Sequence, residues 1–428
     1  MNGFLRYSSL IFLVCLLTSC VAPSNNSNTS VVTTTPSPSA SASPVPTPET
    51  TSVQVTLPVL DALLGDEKFV AQAKQKLQLS EGQIDSLKRA SSSEIARLQE
   101  TNAEDTDGNA TDARTRASDE LRKILGDDKA RQLASLANDY WSKGDSGDQP
   151  EATTGKVEML KGPNAVPTDT RIVVNIPAFR MDLFQDGSLL KSYKVGIGYP
   201  EFPLPFGLRK AQQIIFNPTW TPPDSPWVAK MKNVTAGETV KAGDKDNPLG
   251  PIKIPIGLPS LIHGGKSPAK IGKFASHGCV GLTNAQIKDF AAQLAKASNT
   301  TEISDTAVAS YLQDKEKTKT VKLNQTVPVE LRYETIVLED GKLHIYKDVY
   351  AQDTNTEEDL RAVLEANGVR LEDLSEQQRT EILNALKDVK KETVIDISSV
   401  AKKGYPAPVS LDTGSGVKGG GSKPRTKK

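Results

Sequence analysis

The cysteines of this 428-residue chain set the first limit on how it can fold. Three are present, and only Cys279 lies beyond residue 20. Cys279 therefore has no partner in the body of the chain, and no disulfide can staple the fold. Order has to come from buried apolar surface. Cys279 lies in Ser276-His277-Gly278-Cys279-Val280-Gly281-Leu282-Thr283-Asn284, with Ile262-His263-Gly264-Gly265 upstream. Two of the three histidines, His263 and His277, fall within sixteen residues of it. Glycines flank both His263 and Cys279, where a substrate backbone would need close approach. A thiol becomes a nucleophile near neutral pH when a base takes its proton or a positive neighbour lowers its pKa. A lone Cys with nearby His is thus a candidate catalytic pair. Two other readings compete. A free Cys often packs as a small hydrophobe, and two His with one Cys could ligate zinc. No second Cys or paired His stands at finger-like spacing, so neither metal nor cofactor is expected.

The N-terminus speaks for export. Leu10 to Leu17 is an apolar run of eight, too short for a membrane helix of about 20 residues and suited to a secretory signal over residues 1–19. It ends in Leu17-Thr18-Ser19-Cys20, which resembles a bacterial lipobox. The resemblance implies that Cys20 carries lipid and becomes the mature N-terminus, and that Cys15 leaves with the signal. Val21, next to it, is not the Asp that holds some lipoproteins at the inner membrane, so the outer membrane is the expected address. Residues 20–56 are Ser, Thr, Pro and Asn with few large apolar side chains. They read as an anchor and disordered tether reaching roughly 30 Å as a coil and roughly 110 Å if extended. Formal net charge is zero, so no global field draws the chain to nucleic acid.

Residues 57–148 read as a helical domain. Ser80-Glu-Gly-Gln83 is a capping box, followed by the stripe Ile84, Leu87, Ser91, Ile95, Leu98. A second helix ends before Gly126, and Leu133, Leu136, Tyr140 and Trp141 mark a third. Asp105 to Asn109 imitates a calcium loop, but Arg116 stands where an EF-hand needs Glu, so it reads as a plain loop. Strand texture begins near Lys156. Arg171 to Ile176 is β-branched, and Asp186-Gly187 and Asp340-Gly341 are hairpin turns. Residues 199–227, rich in Pro and aromatics, read as loop. Thr283-Asn-Ala-Gln286 is a capping box that opens a helix with Ile287, Phe290, Ala291 and Leu294 on one face. His344 alternates with apolar neighbours and reads as an outward strand residue. Residues 353–398 hold two helices, stopped by Asn367-Gly368 and opened by Ser375. Residues 399–428 read as a disordered tail with a basic end.

His263, twelve intervening residues, then Ser276-His277-Gly278-Cys279 resembles the signature of the bacterial L,D-transpeptidases, the YkuD family. Ile172-Val-Val-Asn-Ile176, Tyr193 to Gly198, Asn217 to Pro223 and Asp246 to Pro251 look like further family segments in family order. The resemblance implies a mainly β fold: a YkuD-like β-sandwich or barrel with a capping helix over residues 156–352, preceded by the small all-α domain and followed by the two short helices. It also implies a cysteine acyltransferase acting on peptidoglycan stem peptides. Cys279 would be the nucleophile and His263 the base. The Gly264 carbonyl would orient the base, and the N–H groups of Gly278 and Cys279 would hold the oxyanion. His277 would shape the pocket, with assignment of the base to His277 the competing choice. Ser276, Trp220 and Tyr199 are the candidate substrate contacts. Two departures stand out. The family usually has Arg or Asn two residues after the Cys, and here that residue is Gly281; Asn284, three residues on, is a candidate substitute but reads rather as the start of the helix. A Thr-Pro-x-Gly turn becomes Leu204-Pro205-Phe206-Gly207. Hydrolysis by the same residues, or a non-catalytic wall-binding lipoprotein, are the rival readings.

Overall fold

The computed structural model describes residues 55–100, 109–143, 158–401 and 404–415. The signal, Cys20, nearly all of the tether, residues 101–108 of the acidic loop and the basic end lie outside them. Among the described residues no helix is long and apolar enough to cross a membrane.

The N-terminal part holds five helices: α1 (Leu57–Leu64), α2 (Glu67–Leu77), α3 (Glu81–Glu100), α4 (Ala110–Leu125) and α5 (Asp127–Lys143). Residues from Ser80 onward give the three expected helices, and α1 and α2 are additional. Each start has a chemical cause. Thr56 caps α1, with Pro58 in its first turn, and Asp66 caps α2. The Ser80 hydroxyl accepts from Gln83 N–H while the Gln83 carbonyl oxygen accepts from Ser80 N–H. Asn109 caps α4 by accepting from Thr111 and Asp112 N–H, which gives the end of the acidic loop a structural job. Phe69, Leu60, Leu63, Leu87 and Leu133 form a shared core with exposures of 1% or less.

A nine-stranded sheet follows. Its strands are β1 (Arg171–Asn175), β2 (Arg180–Gln185), β3 (Ser188–Lys194), β5 (Gly207–Phe216), β6 (Ile252–Pro255), β7 (Leu261–His263), β9 (Val280–Gly281), β10 (Lys319–Arg332) and β14 (Leu411–Asp412). Their order is β14-β3-β2-β1-β10-β5-β6-β7-β9. A separate short pair joins β4 (Ile197–Gly198) to β8 (Phe274–Ser276). The one-turn helix α6 (Pro226–Ala229) precedes β6. The sheet curls over α7 (Asn284–Ala297), and α8 (Asp305–Tyr311) follows it. Thr283 and Gln286 form the expected capping box of α7. Its predicted face, Ile287, Phe290, Ala291 and Leu294, is wholly buried among Ile172, Val174, Ile214 and Ile252. Each such large side chain contributes about 1.5–3 kcal/mol.

Three departures from the sequence reading have physical reasons. Residues 207–216, read as loop, are a ten-residue strand between β10 and β6. Its buried positions include Arg209 and Ala211 before Ile214 and Phe216, so the usual β-branched run is missing. β11 (Ile336–Glu339) and β12 (Lys342–Ile345), placed with the catalytic segment by sequence, join β13 (Thr393–Asp396) in a separate three-stranded sheet. That sheet shares a core with α9 (Glu357–Ala366) and α10 (Glu376–Lys387). His344 on β12 pairs through Nδ1 with Glu392 at 2.8 Å. Finally, residues 404–415 are part of the fold although they read as tail. The Tyr405 hydroxyl donates to Asp182 at 3.1 Å, and β14 runs parallel to β3. An edge strand gains by having its free N–H and C=O groups paired.

Arg209 ties the two ends of this architecture together. It is 1% exposed, and burial pushes its pKa down to about 9. Its guanidinium donates to Trp141 O on the last turn of α5, and to Gly257 O at 2.9 Å and Leu258 O at 3.2 Å. A cation suits a helix C-terminus. Arg209→Met strands these carbonyls. The expected loss is roughly 2–4 kcal/mol, read as a lower urea midpoint, whereas Lys210→Met, on the exposed side of the same strand, should leave stability within roughly 0.5 kcal/mol.

Candidate active site

The site is built by the register of two short strands. β7 and β9 run parallel, with Ile262 opposite Val280 and His263 opposite Gly281. Ile262 and Val280 point into the core and are fully buried. Side chains alternate along a strand, so His263 and Gly281 face the other way. Cys279, the residue before Val280, falls on that same side. The candidate pair is thus set on one face by backbone pairing alone.

His263 is held firmly. It is 3% exposed, and its Nδ1 lies 2.7 Å from Gly264 O. With Nδ1–H donating to that carbonyl, Nε2 keeps a free lone pair. Burial first, then the charge of Lys266, drives the His263 pKa from 6.5 down to about 3, against the pull of the Gly264 and Leu249 backbone. The ring is therefore neutral near pH 7. Cys279 is a free, half-buried thiol. Burial raises its pKa above the ordinary thiol value, opposed by the Leu261 backbone and by Lys266. Among the described residues no hydrogen bond joins the thiol to His263.

Ser276 and Gly278 shape the peptide at Cys279. Gly278 has φ +94°, a conformation that favours glycine. The Ser276 hydroxyl donates to Cys279 O at 2.6 Å and accepts from Cys279 N–H at 3.0 Å. This corrects two expectations. Ser276 is 4% exposed and spends both bonds on the Cys279 backbone, so it is not placed as a substrate contact. The Cys279 N–H is already engaged, while among the described residues the Gly278 N–H has no partner.

His277 points elsewhere. Trp227 stacks on its ring at 4.6 Å and 10°, and Phe202 meets it edge-on at 4.5 Å and 87°. Tyr199 stands at 5.7 Å, and Trp220 stacks on Trp227 at 5.9 Å. Ile95 and Leu98 of α3 pack against Tyr199, Phe202 and Trp227. His277, Tyr199 and Trp220 are thereby gathered in an aromatic wall, with Tyr199 only 8% exposed and committed to packing. This separates the two histidines: His263 shares a face with the thiol, and His277 is part of the wall.

Two further residues support this corner, and the second of them, Lys266, escaped sequence reasoning. Asn284, the first residue of α7, accepts from Gly265 N–H at 2.8 Å. It steadies the Gly264-Gly265 turn that orients His263 and does not replace a side chain at 281. Lys266 lies directly over Gly281: a Cβ there would stand 2.7 Å from Lys266 Cγ and 2.8 Å from Cε. No motif spacing marks Lys266. Only its place after His263-Gly264-Gly265 hints at the site. Among the described residues no group of three His, Cys, Asp or Glu side chains could hold a metal ion.

The curled sheet with its buried helix thus sets a free cysteine, just before β9, on the same face as a carbonyl-held histidine at the end of β7. Residues 169–320 match the model of the YkuD family, the L,D-transpeptidase catalytic domain, and this segment of the chain is such a domain. Solved structures similar to the chain include the catalytic domain of an L,D-transpeptidase from E. faecium. It is 16% identical over 39% of this chain and 100% of that one, with a TM-score of 0.26. An L,D-transpeptidase from Mycobacterium smegmatis is 15% identical over 38% of this chain and 58% of that one, TM-score 0.23. One from Mycobacterium tuberculosis H37Rv is 14% identical over 38% and 57%, TM-score 0.22. The chain spans between 49% and 58% of the length of the first three solved structures it matches. A comparison with curated proteins gives no match.

The depressed His263 pKa predicts a stability slope. Between pH 6.5 and about 3 the unfolded chain protonates this ring and the folded chain does not. Its contribution is complete above pH 6.5 and is lost as pH falls. His263→Gln should make stability roughly 2 kcal/mol less pH-dependent between about pH 7 and about pH 4.5, measured by urea denaturation at both.

Proposed function

We propose that this chain is a peptidoglycan L,D-transpeptidase that works through a Cys279 thioester. The observation that carries the reading is the His263 Nδ1 to Gly264 O bond, which leaves Nε2 free on the face that Cys279 shares. The reaction then follows from the groups present. Nε2 takes the thiol proton, and the thiolate attacks the carbonyl of the L,D-amide bond in a tetrapeptide stem. The Gly278 N–H is the available donor for the oxyanion. Collapse breaks the C–N bond, and His263 returns its proton to the departing D-alanine amine. An acceptor amine attacks the thioester, His263 takes the amine's proton, and the Cys279 thiol is restored. The product is a 3→3 crosslink or a protein attached to the wall.

The expected setting is the periplasmic face of the cell envelope, with the outer membrane as the anchoring membrane. The lipobox-like Leu17-Thr18-Ser19-Cys20 supports export and lipid attachment at Cys20, and the Ser/Thr/Pro tether supports reach into the wall layer. Metabolic labelling with palmitate should mark the chain, and Cys20→Ala should lose the label.

Intact-mass analysis after incubation with a carbapenem tests the chemistry. A covalent adduct that disappears in Cys279→Ala is expected. A folded protein with a titratable thiol and no adduct would sink the reading in favour of a non-catalytic wall-binding role. Muropeptide analysis with a tetrapeptide donor and an amine acceptor should show the crosslinked product; release of D-alanine with tripeptide alone would make the enzyme a hydrolase.

A further inference from the structure

The thiol needs a positive neighbour, and His263 does not supply one at rest. Its ring is neutral, and it makes no hydrogen bond to Cys279 among the described residues. One cation is built into the same corner. The Lys266 N–H donates to Leu282 O at 3.1 Å, which lays residue 266 beside β9. Its side chain then folds back over Gly281, with Cγ, Cδ and Cε filling the space where a side chain at 281 would start. The residue is half-buried, and among the described residues its ammonium has no hydrogen-bond or carboxylate partner. A half-buried ammonium held without a counter-ion is costly, so the arrangement calls for an anion at the site.

The geometry points to Lys266 as the cation that stabilises the Cys279 thiolate, occupying the volume that Gly281 leaves open. It is a positioning and charge-supplying residue that rests on Cys279 being the nucleophile. The electrostatics agree. Burial lowers the Lys266 pKa and Cys279 raises it, while Lys266 acts on Cys279 in the opposite sense. The other charged or titratable groups facing this corner are His263 on β7, Lys253 on β6 and Lys270 in the turn at Pro268–Lys270. Among the described residues no carboxylate acts on either Cys279 or Lys266. Lys266 stays protonated throughout: the thiol proton goes to His263 Nε2 and from there to the leaving amine. The arrangement also makes positions 266 and 281 alternatives. The atoms in the way of a residue at 281 belong to a flexible stem, so a long cation at 281 fits only once Lys266 is shortened or swung aside.

The test reads the thiol itself. The full chain is alkylated with iodoacetamide across the pH range, and labelling is followed on the peptide that carries Cys279. Lys266→Met should raise the midpoint by about one pH unit and slow acylation by a carbapenem about tenfold at neutral pH. Lys266→Arg should keep both close to the parent. In the Lys266→Ala, Gly281→Arg double variant the midpoint should return most of the way. An unchanged midpoint in folded Lys266→Met overturns the inference, even if the KM for a tetrapeptide rises, because the lysine then serves the substrate. Equal damage from Met and Arg also overturns it, since shape and not charge would matter. If the midpoint shifts but no variant, nor the parent, is acylated, the charge pairing stands and the transpeptidase reading fails.

Discussion

The parallel pairing of β7 with β9 is the constraint on which the site depends. Two residues on each strand are enough to choose which side chains face the core and which face the cleft. Ile262 and Val280 are the anchors of that choice. A slip of one position would send His263 and Cys279 inward and the two aliphatic residues outward. The pairing is protected at both ends. β6 holds β7 from the other side, and Gly281 exchanges both backbone bonds with Gly196 at 2.8 Å. Apolar burial under the strands thus fixes a polar geometry above them.

Helix α7 extends the same logic. Its first turn is stitched to the site by three side chains. Thr283 and Gln286 close the capping box, Asn284 reaches the Gly264-Gly265 turn, and the Gln286 amide donates to Lys194 O at 3.0 Å and Asp412 O at 2.9 Å. The turn that orients His263 is therefore supported from a helix whose far side is the core. Such support lets a histidine ring with a strongly unfavourable charged state stay in one position.

What could be read from sequence was local chemistry. The capping boxes at Ser80 and Thr283, the helix start at Ser375, the hairpin at Asp186-Gly187 and the apolar face of α7 each depend on neighbours in the chain, and each stands in the structure. His263 and Cys279 were likewise marked by residue type and spacing, and the pairing of β7 with β9 puts them on one face. Long-range features were hidden. β5 carries Arg209 inward because its partners are carbonyls from residues 141, 257 and 258, which no pattern of its own could announce. Ser276 was misassigned because a hydroxyl's target depends on backbone geometry three residues away. Residues 404–415 looked like tail because two residues of strand and one buried tyrosine are too few to show a period. Lys266 matters only through the empty space at Gly281, and space is not written in a motif.

The aromatic wall has a consequence for modularity. Its outer surface is covered by Ile95 and Leu98 of α3, residues from a part of the chain that precedes the family's segment. The aromatic wall is therefore built inside residues 169–320 and backed from outside them. Grafting residues 169–320 alone into another chain would carry His263 and Cys279 but leave the wall without backing. In this protein the catalytic domain is a resident of its scaffold, not a cassette.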